Sequence, residues 1–217
     1  FAPVDIRVDL AQLPPNERQA LAAIIHAAQI IDAIYLRQVS ARNEAQLLSL
    51  LQDRSPLGQA RLGYFLINKG PWSELDLNRA FLPGVGERPA QASFYPADAT
   101  RAEVEAGLNS LPPAEHEAAA GFFTTIRRAS GGAFIAVPYA LEYQNELIEA
   151  ARFLRTAAAL TTQPSLKAFL DKRAAAFVSN DYYDSDMAWM DLDASIEPTI
   201  GPYEVYADQW FNFKAAF

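Results

Sequence analysis

Between Leu21 and Tyr35 the apolar residues recur at helical spacing: Leu21, Ile24, Ile25, Ala28, Ile31 and Tyr35 fall on one face, and Ile30 and Ile34 widen it. A helix so apolar has to be covered on more than one side, and the chain must build its core around it. Pro14-Pro15 opens this helix, and Glu17 lies in its first turn, where the helix dipole favours an acid. His26, Gln29 and Asp32 interrupt the stretch, which therefore contains no unbroken apolar run of bilayer-spanning length. The chain has 217 residues, 51% of them hydrophobic, enough for one large domain or two small ones.

The elements around this helix follow from local signals. Phe1 to Leu13 alternates Val4, Ile6, Val8 and Leu10 with Asp5, Arg7 and Asp9, the period of a short strand or an extended arm. Asn43 is placed to cap a helix running to Leu51, and Leu57 to Ile67 forms another, ended by Gly70-Pro71. The stretch from there to Gly86 reads as loop or short strands, and a sub-boundary falls near 84–99. Thr100 and Glu103 form a capping box for a helix from Arg101 to about Leu108, and a further helix starts at Ser110-Leu-Pro-Pro. Two runs, Phe122 to Arg128 and Ala133 to Pro138, flank Ser130-Gly-Gly132 as a hairpin. Helices are expected from Glu142 to Leu160, from Pro164 to Phe177, and from Asp181 to about Met190. Ser195 to Asp208 carries Pro198, Gly201 and Pro202 and cannot be a regular helix. Asn212 to Phe217 is an apolar, helix-competent run without a stop signal. Together with a start at Phe1 rather than Met, this suggests a processed or trimmed piece of a larger protein.

Composition excludes several kinds of chemistry. The chain has no cysteine, which removes disulfides, thiolate catalysis and Cys-based zinc sites and leaves the compartment, cytoplasm or periplasm, open. A net charge of −8 argues against a nucleic-acid backbone partner. The two histidines, His26 and His116, lie on different helices without the one-turn spacing of a zinc pair, and each reads as an ordinary helix residue. No Gly-x-Ser-x-Gly elbow, P-loop, G-x-G-x-x-G or Nudix signature is present. Asp181, Asp184, Asp186, Asp191, Asp193 and Glu197 cluster in sequence. Their structural reading is carboxylates capping helix amides, and the functional alternatives are cation or substrate-amine binding. Trp72, in Asn68-Lys-Gly-Pro-Trp72, reads as a buried residue of a tight turn.

The most specific motif is the run from Ile196 to Asp208, with Glu197, Glu204 and Asp208, Tyr203 and Tyr206, stiffened by Pro198 and Pro202. An extended segment of this kind is either a loop pinned by its prolines or a ribbon whose backbone pairs with an extended ligand while a carboxylate holds a charged amine.

This motif, with Ser179-Asn-Asp-Tyr-Tyr-Asp184 and Trp189 upstream, resembles the dipeptidyl peptidase III family of zinc metallopeptidases, with the closer likeness to bacterial and plant relatives carrying the form I-G-P-Y-E-x-Y-x-D. In some plant relatives such a region is fused to a Nudix domain. The resemblance implies a two-lobed protein with a cleft between the lobes. It also implies zinc held by a helix with H-E-x-x-G-H or H-E-x-x-H plus a downstream Glu, and release of dipeptides from a peptide's N-terminus by a metal-polarised water. By motif match it makes Glu197 the amine anchor and Gly201 a backbone contributor to the peptide-binding strand. Thr199, Tyr203, Glu204 and Tyr206 complete the substrate-binding set. Thr199 stands where the family has a substrate-contacting Tyr and Pro202 where it has a Phe, departures that bear on dipeptide-releasing specificity. The zinc helix would lie beyond Phe217.

The expectation is an α+β fold, predominantly helical, with a β-hairpin and an extended C-terminal peptide-binding segment. Residues 1–217 form the N-terminal part of a two-lobed metallopeptidase-like protein. The chain by itself holds no cofactor and is not catalytic, and zinc belongs to the parent enzyme. The expected partners are a peptide substrate and the C-terminal remainder of the parent, with no nucleic acid or membrane. The alternative is a self-contained peptide-binding or interaction domain.

Overall fold

The computed structural model describes residues 4–217. The fold is α+β and mainly helical, and the chain divides into two compact units. One takes the residues up to Ile30 together with Asn145–Ile200, and the other takes Ile31–Gln144 with Gly201–Phe217.

The first unit is all helical. It contains the opening turns of α1 (Pro15–Val39), nearly all of α7 (Gln144–Leu160), α8 (Pro164–Ser179) and α9 (Tyr183–Met190). α1 spans 25 residues, and its most apolar window has a mean hydropathy of 1.4, so by length and composition alone it could cross a bilayer. It is instead packed within the protein: Ala20, Ala23, Ile24 and Ala27 are buried. Ile25 and Ala28, expected on the covered face, are exposed. α7 contributes Leu147, Ala150, Ala151, Leu154, Ala157 and Ala158, and α8 contributes Leu166, Phe169, Leu170, Ala174 and Phe177.

Two buried charged groups join these helices. Glu17 is only 2% exposed, and its carboxylate accepts from Thr161 Oγ1 at 2.7 Å, Thr162 N at 2.9 Å and Thr162 Oγ1 at 3.1 Å. Burial, the largest single influence on this carboxyl, raises its pKa, but the combined hydrogen bonds outweigh it and hold the group below its ordinary value. Arg173, fully buried on α8, donates to Asp186 of α9 at 2.5 Å and lies over the rings of Phe169 and Tyr182. Asp181 accepts from the backbone N–H of Tyr183 at 3.1 Å, the capping role read from the acidic cluster. The expected extended arm at the N-terminus is an exposed, irregular segment over residues 4–10, and its first three residues lie outside the described residues.

The second unit mixes helices and two small antiparallel sheets. α2 (Asn43–Gln52) and α3 (Pro56–Asn68) pack together, with Leu36, Leu50 and Phe65 as a buried cluster and Leu47, Leu62, Phe81 and Leu82 against it. Asn43 is not the expected N-cap. It is the first residue of α2, fully buried, and its side-chain amide donates to Leu36 O and Lys69 O, both at 3.0 Å. A side chain that meets two carbonyls at helix ends makes two hydrogen bonds, where a cap on a single amide makes one. Ser55 does cap α3, accepting from Gly58 N. β1 (Trp72–Ser73) pairs with β2 (Arg79–Ala80), joined by a 3-10 turn at Glu74–Asp76. Trp72 is buried, as expected, and its indole donates to Gly86 O at 2.9 Å.

The capping box at Thr100 forms in full at the head of α4 (Arg101–Asn109), and α5 (Pro113–Ala120) follows. The hairpin forms as read: β3 (Thr124–Arg128) pairs with β4 (Phe134–Pro138), with Ile126 opposite Ala136. α4 packs on this hairpin at Gly107, where a Cβ would meet the Phe134 ring at 2.3 Å, so only glycine permits that approach. The short α6 (Tyr139–Glu142) precedes α7. The terminal run is not the helix its composition allows. Ala216 exchanges both backbone hydrogen bonds with Glu204, at 3.1 and 2.9 Å, and Phe217 packs on Tyr139 and Tyr143.

Candidate functional site

The ribbon is irregular, belongs to no helix or named strand, bends at 201–202 and turns at 205–206, as its prolines require of a non-helical segment. Its first part belongs to the helical unit. Ile196 and Ile200 are buried and Glu197 and Thr199 are exposed, so the ribbon is anchored by two isoleucines and presents a carboxylate and a hydroxyl to solvent.

The second part of the ribbon belongs to the mixed unit. Gly201 is buried with φ at 153°, a conformation close to glycine-only. Tyr203 and Glu204 are half-buried and Tyr206 is exposed. The backbone N–H and C=O of Glu204 are both spent on Ala216, so this residue can offer a ligand only its side chain. A hydrogen bond to the Glu204 carboxylate, with smaller contributions from burial and nearby negative charge, pushes the Tyr206 hydroxyl up to about 12. Tyr35, on the last turns of α1, shares this surroundings. Burial raises its hydroxyl, Arg88 opposes that, and Glu74, Glu204 and Asp32 add to it. The structure thus gathers Glu204 and Tyr206 with Tyr35. It leaves Glu197 and Thr199 exposed.

Two charged residues that the motif reading did not assign turn out to be buried. Asp208 is fully buried. One carboxylate oxygen accepts from Trp210 N at 3.0 Å and Phe211 N at 3.2 Å, and the other accepts from the Tyr95 hydroxyl at 2.7 Å and Phe213 N at 3.0 Å. The motif's terminal acid is therefore the hub that folds the 208–213 turn. Burial and the adjacent Asp208 charge push the Tyr95 hydroxyl far above its ordinary value. Lys214 is also fully buried and, among the described residues, meets no carboxylate. Its ammonium donates to Ala119 O at 2.5 Å, Thr124 Oγ1 at 2.7 Å and Gly121 O at 2.9 Å. Burial brings it down to about 7, with the Asp208 charge partly opposing. The one sequence signal for it was a lone lysine inside the apolar run Asn212 to Phe217.

The resemblance implies zinc, and the residues present do not fit it. Among the described residues no three His, Cys, Asp or Glu side chains are grouped to hold a metal ion. The chain's two histidines are spent or isolated. His26 is hydrogen-bonded to Gln29 and packed on Phe153, and His116 lies on the short helix α5. No step of a metal-assisted reaction can be derived from these side chains.

Over its full length the chain is similar in fold and sequence to the N-terminal region of dipeptidyl peptidase III structures. It superposes on the structure of dipeptidyl-peptidase III from Corallococcus sp. strain EGB with a TM-score of 0.97 at 59% identity, covering 100% of this chain and 40% of that one. Against the structure of DPP III from Caldithrix abyssi the TM-score is 0.94 at 44% identity, with 41% of that chain covered. Among curated proteins it is 36% identical over 267 aligned residues to Nudix hydrolase 3 of Arabidopsis thaliana, matching 100% of this chain and 34% of that protein. The chain thus spans well under half the length of each of these relatives. No protein-family model matches it.

Proposed function

We propose that this chain is the N-terminal, substrate-binding portion of a two-lobed, zinc-dependent exopeptidase of the dipeptidyl peptidase III type. The observation that carries this reading is the full-length homology to two dipeptidyl peptidase III structures. An exposed carboxylate and hydroxyl, Glu197 and Thr199, on a ribbon held by buried isoleucines add to it. In this reading the ribbon lies beside an extended peptide. Glu197 pairs with the peptide's free ammonium, and backbone groups at Thr199 and Gly201 bond to its main chain. Tyr203 and the side chains of Glu204 and Tyr206 extend the contact. Zinc and the groups that activate water are supplied by the C-terminal remainder of the parent protein, which is the chain's second partner. On its own the chain binds and orients.

The test is a binding titration of the chain with a tetrapeptide, beside a peptidase assay of a longer protein carrying the same sequence. Glu197→Ala is expected to weaken tetrapeptide affinity about tenfold or more, the scale of one charge-assisted hydrogen-bonded contact. Acetylating the peptide's amine should do the same, with no further loss when the two are combined. An unchanged affinity in Glu197→Ala removes the amine-anchor role. An inactive, zinc-free longer protein removes the peptidase assignment.

A further inference from the structure

The mixed unit contains a cleft of about 540 Å³ that takes no residue from the ribbon. That volume lies within the range of small-molecule sites. Its walls are pinned rather than loose. The Trp72 indole donates to Gly86 O and ties down the 84–87 rim. Opposite it in sequence, the 93–95 segment is held by Ser93 N bonded to Gln38 O at 2.8 Å and by Ile126 N bonded to Phe94 O at 2.7 Å. The Arg127 guanidinium, itself paired with Glu142 at 2.5 Å, also donates to Ser93 O at 3.1 Å. These groups are satisfied and serve as scaffold.

Two charged groups in the same cleft have no ion-pair partner among the described residues. Arg42 and Glu87 are exposed, and neither has an ion-pair partner among the described residues, the other included. Apolar surface from Trp72, Val85 and Pro96 completes the lining. A simple anion would pair with Arg42 and leave Glu87 without a cation, and a purely apolar molecule would pair with neither. One chemistry meets both charges and the wall: a carboxylate for Arg42, an ammonium for Glu87 and an apolar side chain for the wall.

We propose that this cleft is a second binding site, for a short zwitterionic peptide with an apolar side chain. Its recognising groups are Arg42 and Glu87. It does not depend on the role assigned to Glu197, although a protein that acts on peptides would meet such a ligand as its product.

The experiment is calorimetric titration of the 217-residue chain with leucyl-leucine. Saturable binding is expected. Arg42→Met should weaken it by about fivefold, the upper scale for an exposed ion pair, and so should replacing the dipeptide's carboxylate by an amide. Combining the two should cost no more than either alone. Glu87→Gln and N-acetylation should form the same matched pair, and Glu197→Ala should leave the affinity unchanged. Both cleft substitutions are at exposed positions, so the fold survives them. Absence of saturable binding, or wild-type affinity in Arg42→Met and Glu87→Gln, overturns the proposal. Weakening by Glu197→Ala in place of the cleft variants overturns it too, and in that case the dipeptide is on the ribbon and the proposed function stands.

Discussion

Lys214 allows the sharpest test of the packing described above. Its ammonium is fully buried against two carbonyls and a hydroxyl, with no carboxylate in contact among the described residues. Its pKa falls from 10.5 to about 7. The sign follows from linkage. In the unfolded chain the amine holds its proton up to about 10.5, whereas the folded chain gives it up near 7. Between those values the unfolded state binds more protons, and stability rises with pH. The contribution is complete above the unfolded value and is lost as pH falls through about 7. At about 1.4 kcal/mol per pH unit, the window has an upper limit of about 5 kcal/mol. Urea denaturation from about pH 7.5 to about pH 9.5 should show a gain of about 2–3 kcal/mol in the wild type on the same scale. In Lys214→Met that slope should vanish. The variant also leaves the Ala119 and Gly121 carbonyls without their buried donor, at a cost of about 1–3 kcal/mol. That loss does not depend on pH, so it lowers the whole curve without tilting it. Other titrating groups cancel in the difference between the two proteins. If wild type and Lys214→Met have parallel stability–pH curves, the lysine is hydrated or charge-paired and the buried-amine description is wrong.

Three further outcomes are expected. Glu17→Gln should cost about 1–3 kcal/mol at neutral pH, because its carboxylate accepts three bonds from Thr161 and Thr162. With its carboxyl held below the ordinary value, that contribution is present above about pH 4.5 and lost as pH falls through the folded value, so wild type and variant should converge in acid denaturation. Gly107→Ala should destabilise by about 1–3 kcal/mol in thermal melts, since the new methyl group meets the Phe134 ring; a neutral result would mean that the ring swings aside. Asp208→Ala strands three backbone N–H groups and the Tyr95 hydroxyl, and should cost about 3 kcal/mol or more, with a shift in Trp210 fluorescence as the 208–213 turn loosens.

Much of the architecture was legible in the residues because it rests on local physics. The Thr100–Glu103 capping box, the Pro15 and Pro164 helix starts, the Ser130-Gly-Gly132 hairpin and the non-helical course of the ribbon are all decided within a few residues of chain. The resemblance was carried by the motif from Ile196 to Asp208, another contiguous feature. Tertiary structure alone decided the rest. Asn43 could cap a helix or cross-link two helix ends, and only the presence of Leu36 O and Lys69 O selects the second. The Asn212–Phe217 run had helical composition, but an available partner backbone at Glu204 drew it into an extended pairing. Asp208 ends a motif that reads as ligand-binding, yet its four hydrogen bonds make it a folding hub. The charges of Arg42 and Glu87 line one cleft from two distant stretches of chain. Burial and hydrogen-bond satisfaction depend on which groups meet across the fold, and no spacing along the chain encodes that.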